Sequence, residues 1–432
     1  MSSPTLSTRF QQIAEQASDK ARVFTTLAHL IDRELLREAF GQLRKEAAPG
    51  VDGQTAEEYA ADLDLRLGDL HERLRSQQYR ATPALRAWIP KEDGSQRPLA
   101  IPILEDKIVQ RAVVLLLTPI YEQDFYGFSY GYRPKRGAHA ALHALREHCM
   151  ELGGVWLVDA DVQGFFDSVP HGQLQQILRQ RVNDGGIVRL VGKWLKAGIL
   201  EGGSLTYPET GTPQGGVISP LLANIYLHTV LDEWFAQQVQ PRLRGRSFLI
   251  RFADDFVVGC EFEDDARRVL EVLAKRLAKY GLSLHPEKTR LVQFRRPPRG
   301  KPPTDGNGTF DFLGFTHHWT LSRRGFWVIK RRTARKRMQR SMRAISQWCK
   351  RNRHEPLTVQ YRQLGQKLRG HYGYYGIAGN FRALETVFQH TRQAWRKWLS
   401  RRSWKSYVSW EKFLKLEKVF ELPAPRIVHA KV

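Results

Sequence analysis

The sequence predicts an α+β fold, and three observations carry that expectation. Helical periodicity fills residues 1–80 and returns from Leu104 to Gln123. Short apolar runs that read as strands end in carboxylates at two distant places, around Asp161 and around Asp254. From Arg331 onward the chain reads as helical, basic and aromatic.

Within residues 1–80 the run Ala48-Pro49-Gly50-Val51-Asp52-Gly53 breaks the pattern, so two helical stretches flank a loop. Residues 87–103 read as two short strands around the Asp93-Gly94 turn, a β-hairpin carrying Lys91 and Arg97. Helix resumes at Leu104 and again after Gly137. Residues 155–294 alternate strands with helices, including an amphipathic helix from Asp264 to Tyr280. The Pro, Gly and charge-rich stretch from Arg295 to Gly308 reads as a surface insertion.

Composition narrows the function. The chain has 432 residues, enough for two or three domains, and 42% of them are hydrophobic, as in a folded protein. Lys and Arg number 68 against 44 Asp and Glu, a net charge of +24 that points to a polyanionic partner. The excess is concentrated: residues 321–410 hold 23 Lys or Arg and only two acids, Glu355 and Glu385. A solvated face needs no such imbalance, whereas a nucleic-acid backbone does. Cys149, Cys260 and Cys349 are far apart in sequence and form no CxxC pair, which argues against a zinc finger or disulfide framework. Met1 to Phe10 is polar and no apolar run approaches a bilayer's thickness, so the expected setting is cytoplasmic, without a membrane partner.

The most specific stretch runs from Leu249 to Val258, where Asp254 and Asp255 interrupt two apolar β runs. As a dipeptide this more often describes a solvated hairpin tip. A metal site needs a further carboxylate, and the strand from Val155 ends in Asp159 and Asp161 before the chain bends at Gly164 into Phe165 and Phe166. Two strand ends bearing acid can gather hard oxygen ligands at one edge of a sheet, as Mg²⁺ prefers.

In chain order, Asp161-Val162-Gln163-Gly164-Phe165-Phe166, then Gly211-Thr212-Pro213-Gln214-Gly215-Gly216 through Asn224, then Phe252-Ala253-Asp254-Asp255, resemble successive motifs of the reverse transcriptase family. Leu368-Arg369-Gly370-His371-Tyr372-Gly373-Tyr374-Tyr375 resembles the domain specific to its group II intron maturase branch. The resemblance covers roughly residues 30–400. It implies a right-hand polymerase, with fingers and palm built on an antiparallel sheet and a mostly α-helical thumb and maturase domain behind them. The implied division is a helical extension and start of the fingers at 1–85, fingers and palm at 86–320, the RNA-binding thumb at 321–400, and a basic tail without an endonuclease at 401–432.

The same resemblance assigns roles. Asp161, Asp254 and Asp255 are the catalytic carboxylates and would hold two Mg²⁺ ions, with the Val162 carbonyl as an added ligand; Asp159 is expected to be structural. Lys91, Arg97, Gln214 and Lys288 are expected at the nucleotide and its phosphates. Phe166 occupies the position of a steric gate against a 2′-hydroxyl. Ser129 to Pro134, with His139, resembles a template-contacting insert, and Phe310 to Phe315 a primer-grip turn. Arg331, Arg332, Arg335, Lys336, Arg337, Arg340 and Arg369 are the expected RNA contacts, basic groups interleaved with aromatics as RNA binding favours. Phe252 departs from the pattern, since most relatives carry Tyr there.

The implied activity is RNA-directed DNA synthesis by an intron-encoded maturase that assists splicing and copies its intron by target-primed reverse transcription. Its partners would be intron RNA, an RNA template, DNA primer and target, and dNTPs, with association with the nucleoid when DNA is engaged. Homodimerisation is left open. A related enzyme recruited to phage defence or repair, and a maturase that only splices, share the same motifs.

Overall fold

The computed structural model describes residues 5–90, 96–207, 209–211, 215–298, 308–403 and 406–430. By packing, the chain divides into two units: Met1–Ala141 with Leu157–Leu291, and Leu142–Trp156 with Val292–Val432. The division separates the charge completely. The first unit has 35 Lys and Arg against 35 Asp and Glu, and the second has 33 against 9.

The first unit opens with four helices, α1 (Leu6–Ala17), α2 (Arg33–Gly41), α3 (Ala56–Ala61) and α4 (Leu63–Arg75). Three of them start at a side-chain cap: Thr5 for α1, Asp32 for α2, and a Thr55–Glu58 capping box for α3. The expected hairpin follows as β1 (Ala84–Pro90) and β2 (Gln96–Ile101), antiparallel with Ile89 opposite Arg97; the turn and Lys91 lie outside the described residues. The expected helix from Leu104 is α5 (Leu104–Asp124), buried along most of its length. After α6 (Ala138–Leu152) comes β3 (Gly154–Asp161), whose buried residues include Val155, Leu157 and Val158.

Beyond β3 lie α7 (Phe165–Ser168), α8 (His171–Arg181), α9 (Gly185–Leu195), β4 (Ile199–Glu201), β5 (Ser204–Thr206) and α10 (Ser219–Leu227). The short strands extend the first hairpin into a sheet of order β2-β1-β4-β5. Past α10 the helix widens into π-helical turns at His228–Glu233 and Phe235–Val239. Then β6 (Ser247–Phe252) and β7 (Asp255–Cys260) form the predicted antiparallel hairpin, followed by α11 (Glu263–Lys279) and β8 (Arg290–Arg295). Three acids in the first turn of α11 and Arg276 and Lys279 in its last match the helix dipole. The strand order here is β6-β7-β3-β8, which makes β3 and β7 neighbours. The carboxylates at the end of β3 and the start of β7 are thereby brought to one region.

In the second unit β9 (Phe310–Phe312), β10 (Phe315–Leu321) and β11 (Trp327–Thr333) form an antiparallel sheet. Helices α12 (Arg335–Arg351), α13 (Leu357–Tyr375), α14 (Phe381–Leu399) and α15 (Trp410–Val419) follow. Helix therefore starts at Arg335, because β11 carries Arg331 and Arg332 as strand. The helices close on a core of Leu364, Leu368, Leu384, Val387, Trp395 and Phe413. Trp395 is fully buried and its indole N–H donates to Gln360 Oε1 at 2.8 Å. The expected basic tail is part of this core: Phe413 of α15 is completely buried against Trp395, and Val428 N–H reaches the Gly376 carbonyl at 2.7 Å. Most of the expected insertion after Arg295 lies outside the described residues. No helix among those described is long and apolar enough to cross a membrane.

Candidate active site

The tip of the β6–β7 hairpin is a two-residue turn, Ala253-Asp254, closed by the Phe252–Asp255 pair. Ala253 is buried and held at φ 58°, the left-handed region that costs a residue with a Cβ about 1–2 kcal/mol. What holds it there is Arg251, completely buried one step before Phe252. Its guanidinium donates to Asp232 Oδ1 at 2.7 Å and Oδ2 at 2.5 Å, to Asn224 Oδ1 at 2.9 Å and to the Ala253 carbonyl at 3.1 Å. Burial alone would raise the Asp232 carboxyl, yet it is held below its usual range by the guanidinium and by His228.

A second strand of backbone lies against the turn. Arg251 N–H donates to Phe128 carbonyl at 2.9 Å, Tyr130 N–H to Arg251 carbonyl at 2.8 Å, and Asn224 Nδ2 to Gly131 carbonyl at 2.7 Å. A Cβ on Gly131 would sit 2.3 Å from the Ala253 nitrogen, so only glycine admits this approach. Of the expected template insert, Arg133 is buried and committed to Glu122 and to the Tyr126 and Ser129 carbonyls. Tyr132 and Pro134 are exposed, and Asp254 is close enough to Tyr132 to push its phenol upward after burial.

Asp161 ends β3. Its carbonyl accepts from His285 N–H at 2.7 Å while Gln163 N–H donates to Ser283 carbonyl at 2.9 Å. These bonds close the bridge between Val162 and Leu284 without using the Val162 carbonyl. The Asp161 carboxylate takes the Lys288 ammonium at 2.7 Å. Asp159 pairs with Arg290 at 2.9 Å.

The remaining carboxylates are electrostatically frustrated. Asp254 is pushed up from its usual range by burial and by Asp161, against the opposing pull of Arg97 and Arg251. Asp255 is pushed up to about 7, by burial first and then by Asp254, Asp161 and Asp159. Its position at the hairpin tip leaves it in contact with solvent, which screens part of that opposition. Among the described residues no three His, Cys, Asp or Glu side chains converge into a metal cage. The donor chemistry still fits a hard divalent cation: oxygen ligands alone, with a mutual repulsion that a cation would relieve. Asp161 would have to exchange Lys288 for the ion.

On the nucleotide side, Arg97 is exposed on β2 and close enough to lower the Asp254 carboxyl. Phe166 is half-buried, edge-on to the buried Phe165 at 5.3 Å. Gly211 runs directly behind it: a Cβ there would meet the Phe166 carbonyl at 2.9 Å, and Gly211 N–H donates to Val169 carbonyl at 2.8 Å. The loop that resembles the nucleotide-facing element is therefore sewn to the gate position. Its Gln214, like Lys91, lies outside the described residues.

In the second unit, Arg332, Arg335, Lys336, Arg337, Arg340 and Arg369 are exposed. Arg331 is not an RNA contact. It is 2% exposed, donates to the Leu142 carbonyl at 3.0 Å, and burial lowers its pKa to about 10. The strand alternation of β11 turns Arg331 inward and Arg332 outward. Tyr372 and Trp395 belong to the core, so the cations are the better RNA candidates.

Acidic residues on a strand end and on an adjacent hairpin tip, beside a helix-and-hairpin region, fit the palm and fingers of a nucleic-acid polymerase. The family model of reverse transcriptase (RNA-dependent DNA polymerase) matches residues 89–317, more than half of the chain, and the chain belongs to that family. It is similar to Protein YkfC of Escherichia coli (strain K12), 38% identical over 241 residues, covering 49% of this chain and 62% of that one. It is 31% identical over 290 residues to the group II intron-encoded protein LtrA of Lactococcus lactis subsp. cremoris, covering 63% of this chain and 47% of LtrA. Nuclear intron maturase 1, mitochondrial, of Arabidopsis thaliana is 28% identical over 95 residues, 22% of this chain and 13% of that one. Two of these relatives are named as an intron-encoded protein and an intron maturase. The chain spans about half the length of these first two relatives, 62% of the one and 47% of the other.

Two outcomes follow for the site. The folded Asp255 keeps a proton up to about pH 7 whereas an unfolded Asp loses it near pH 3.8, so ionising the site costs stability progressively between those values and fully above them. A divalent cation removes that cost, so the rise in melting temperature on adding Mg²⁺ should be larger at pH 8 than at pH 5.5 and should vanish in Asp255→Asn. Arg251→Ala strands Asp232 as an unpaired buried charge and should cost about 3–5 kcal/mol in urea unfolding.

Proposed function

We propose that this protein is an RNA-directed DNA polymerase that also binds the intron RNA it serves, assisting splicing and copying the intron from a DNA primer at its target. The observation that carries the reading is the pairing of neighbouring strands β3 and β7, which brings Asp161 within electrostatic reach of Asp254 and Asp255 in a chain of the reverse transcriptase family.

Asp161, Asp254 and Asp255, with the Val162 carbonyl, would hold two Mg²⁺ ions. Bound there, the ions supply the lowered pKa of the primer 3′-hydroxyl and the stabilisation of the departing pyrophosphate. The chain's own residues do the rest. Arg251 fixes the turn so that Asp254 and Asp255 face the incoming nucleotide in one orientation. Arg97, with Lys91, neutralises triphosphate oxygens from the fingers side. Lys288, released from Asp161, stands at the side where the pyrophosphate leaves. Phe166 bars a 2′-hydroxyl by steric clash, its ring backed by Phe165 and by the Gly211 backbone. Gln214 contacts the nascent pair.

The second unit acts as thumb and RNA clamp. Its exposed Arg332, Arg335, Lys336, Arg337, Arg340 and Arg369 neutralise phosphates, and its net charge attracts a polyanionic backbone.

Primer extension on an RNA template with Mg²⁺ should incorporate dNTPs, and Asp254→Ala with Asp255→Ala should abolish incorporation while leaving RNA binding intact; full activity in that variant would overturn the site. Phe166→Ala should raise ribonucleotide incorporation relative to deoxyribonucleotide by about tenfold or more, read in single-nucleotide extension.

A further inference from the structure

Away from the carboxylates, two cavities of about 330 and 600 Å³ adjoin one another on the first unit and share Arg189 and Lys193 in their walls. Their size is that of sites for small organic groups. Besides those two residues, Arg75 lines the smaller cavity, and Arg80, Arg179 and Lys196 line the larger; no Asp or Glu lines either. None of the six is paired with a carboxylate among the described residues. Lys193 is committed to the Tyr79 carbonyl and Arg179 to Asn183 Oδ1 at 3.1 Å. Arg75, Arg80, Arg189 and Lys196 are exposed.

This clustering is not a by-product of composition. The first unit contains equal numbers of acids and bases, so chance would place carboxylates among these cations. Three of the six come from one helix face: Arg189, Lys193 and Lys196 stand four and three residues apart along α9 and just past its end. The opposite face of the same helix buries Ile187, Val191 and Trp194. Such a row of unneutralised cations is a repulsive arrangement that a polyanion relieves. Between the cations the smaller cavity presents Ile31, Leu74 and Leu190, an apolar wall, and the exposed Tyr207 lines the larger one.

We propose that this double cavity is a single-stranded nucleic-acid site, separate from the catalytic one and from the basic second unit. The α9 cations engage successive phosphates. An unpaired base enters the smaller cavity against Ile31, Leu74 and Leu190, and Tyr207 offers a stacking face beside the larger. Backbone charge with apolar and aromatic seats for bases is the combination that single strands require. The site stands independently of the polymerase reading, since none of these residues belongs to the carboxylate cluster.

The test uses the full chain, 5′-labelled single-stranded RNA and the same sequence as DNA, and anisotropy titrations at several salt concentrations. Replacing Arg80, Arg189 and Lys196 together by Gln should lower the slope of log K against log salt by about 2, at roughly 0.7 for each phosphate no longer neutralised, with the melting temperature unchanged. Leu74→Trp, which fills the smaller cavity without changing charge, should weaken binding several-fold and leave the slope as it was. RNA carrying 4-thiouridine should crosslink to the peptide spanning residues 185–196, and the triple variant should lose that crosslink. Equal losses on RNA and DNA would assign recognition to the backbone, and a loss confined to RNA would assign it to the 2′-hydroxyl. An unchanged slope in the triple variant, or absence of the crosslink in the wild-type chain, overturns the proposal.

Discussion

The position of the Asp254–Asp255 hairpin rests on one buried ion pair, Arg251 with Asp232. Both side chains are fully inaccessible, and taking two charges out of water is expensive unless every donor finds a partner. The guanidinium meets that condition by spending its N–H groups on Asp232, on Asn224 and on the Ala253 carbonyl. Asn224 comes from α10, Asp232 from the π-helical turns after it, and Ala253 from the strained hairpin tip. Asn224 also grips Gly131, whose missing side chain lets a further segment press on the same turn. Four pieces of chain are thus tied to one planar cation. An apolar residue at 251 could pack as well, but it could not hold a carbonyl at the left-handed turn and so could not fix where Asp254 and Asp255 point.

Charge divides the labour between the two units. The unit bearing the carboxylates has no net charge, so its field is set by local groupings: acids at the strand ends, cations around α9. The other unit carries the whole excess, spread over exposed helical faces. At physiological salt a field decays over about 8 Å, so each charge acts chiefly on the groups nearest it.

Much of this was legible in the sequence because it depended on short-range patterns. The β6–β7 hairpin, the acid-ended β3, the helix from Leu104 and the amphipathic helix after Cys260 are each written in alternation, turn residues and helical period. What escaped depends on partners distant in sequence. Arg251 sits in an apolar run and looks like a solvent-facing interruption; only Asp232 and Asn224, brought near by the π-helical turns, make it a core residue. Arg331 and Arg332 are indistinguishable by composition, and strand alternation in β11 sends one inward and the other outward. The segment after residue 400 reads as a basic tail because Phe413 and Leu422 are sparse among charges, yet those two are what the helices of the second unit close upon. The cavities around α9 left no local signal, since their cations come from four separated stretches.

Asp161 and Lys288 show how the site tolerates its own charge. Three carboxylates near one another repel, and two of them respond by rising in pKa, one to about 7. The third is neutralised instead by an ammonium at 2.7 Å, mostly exposed and on a flexible stem. An arginine fork from the core would make a stronger and more rigid pair, like that at Asp232, and would keep Asp161 permanently occupied. A solvated lysine makes a weak pair, worth about 1 kcal/mol or less, which a multivalent cation can displace. The ion pairs at Asp232 and at Asp161 therefore have opposite characters: the buried one fixes the hairpin, and the exposed one leaves its carboxylate available.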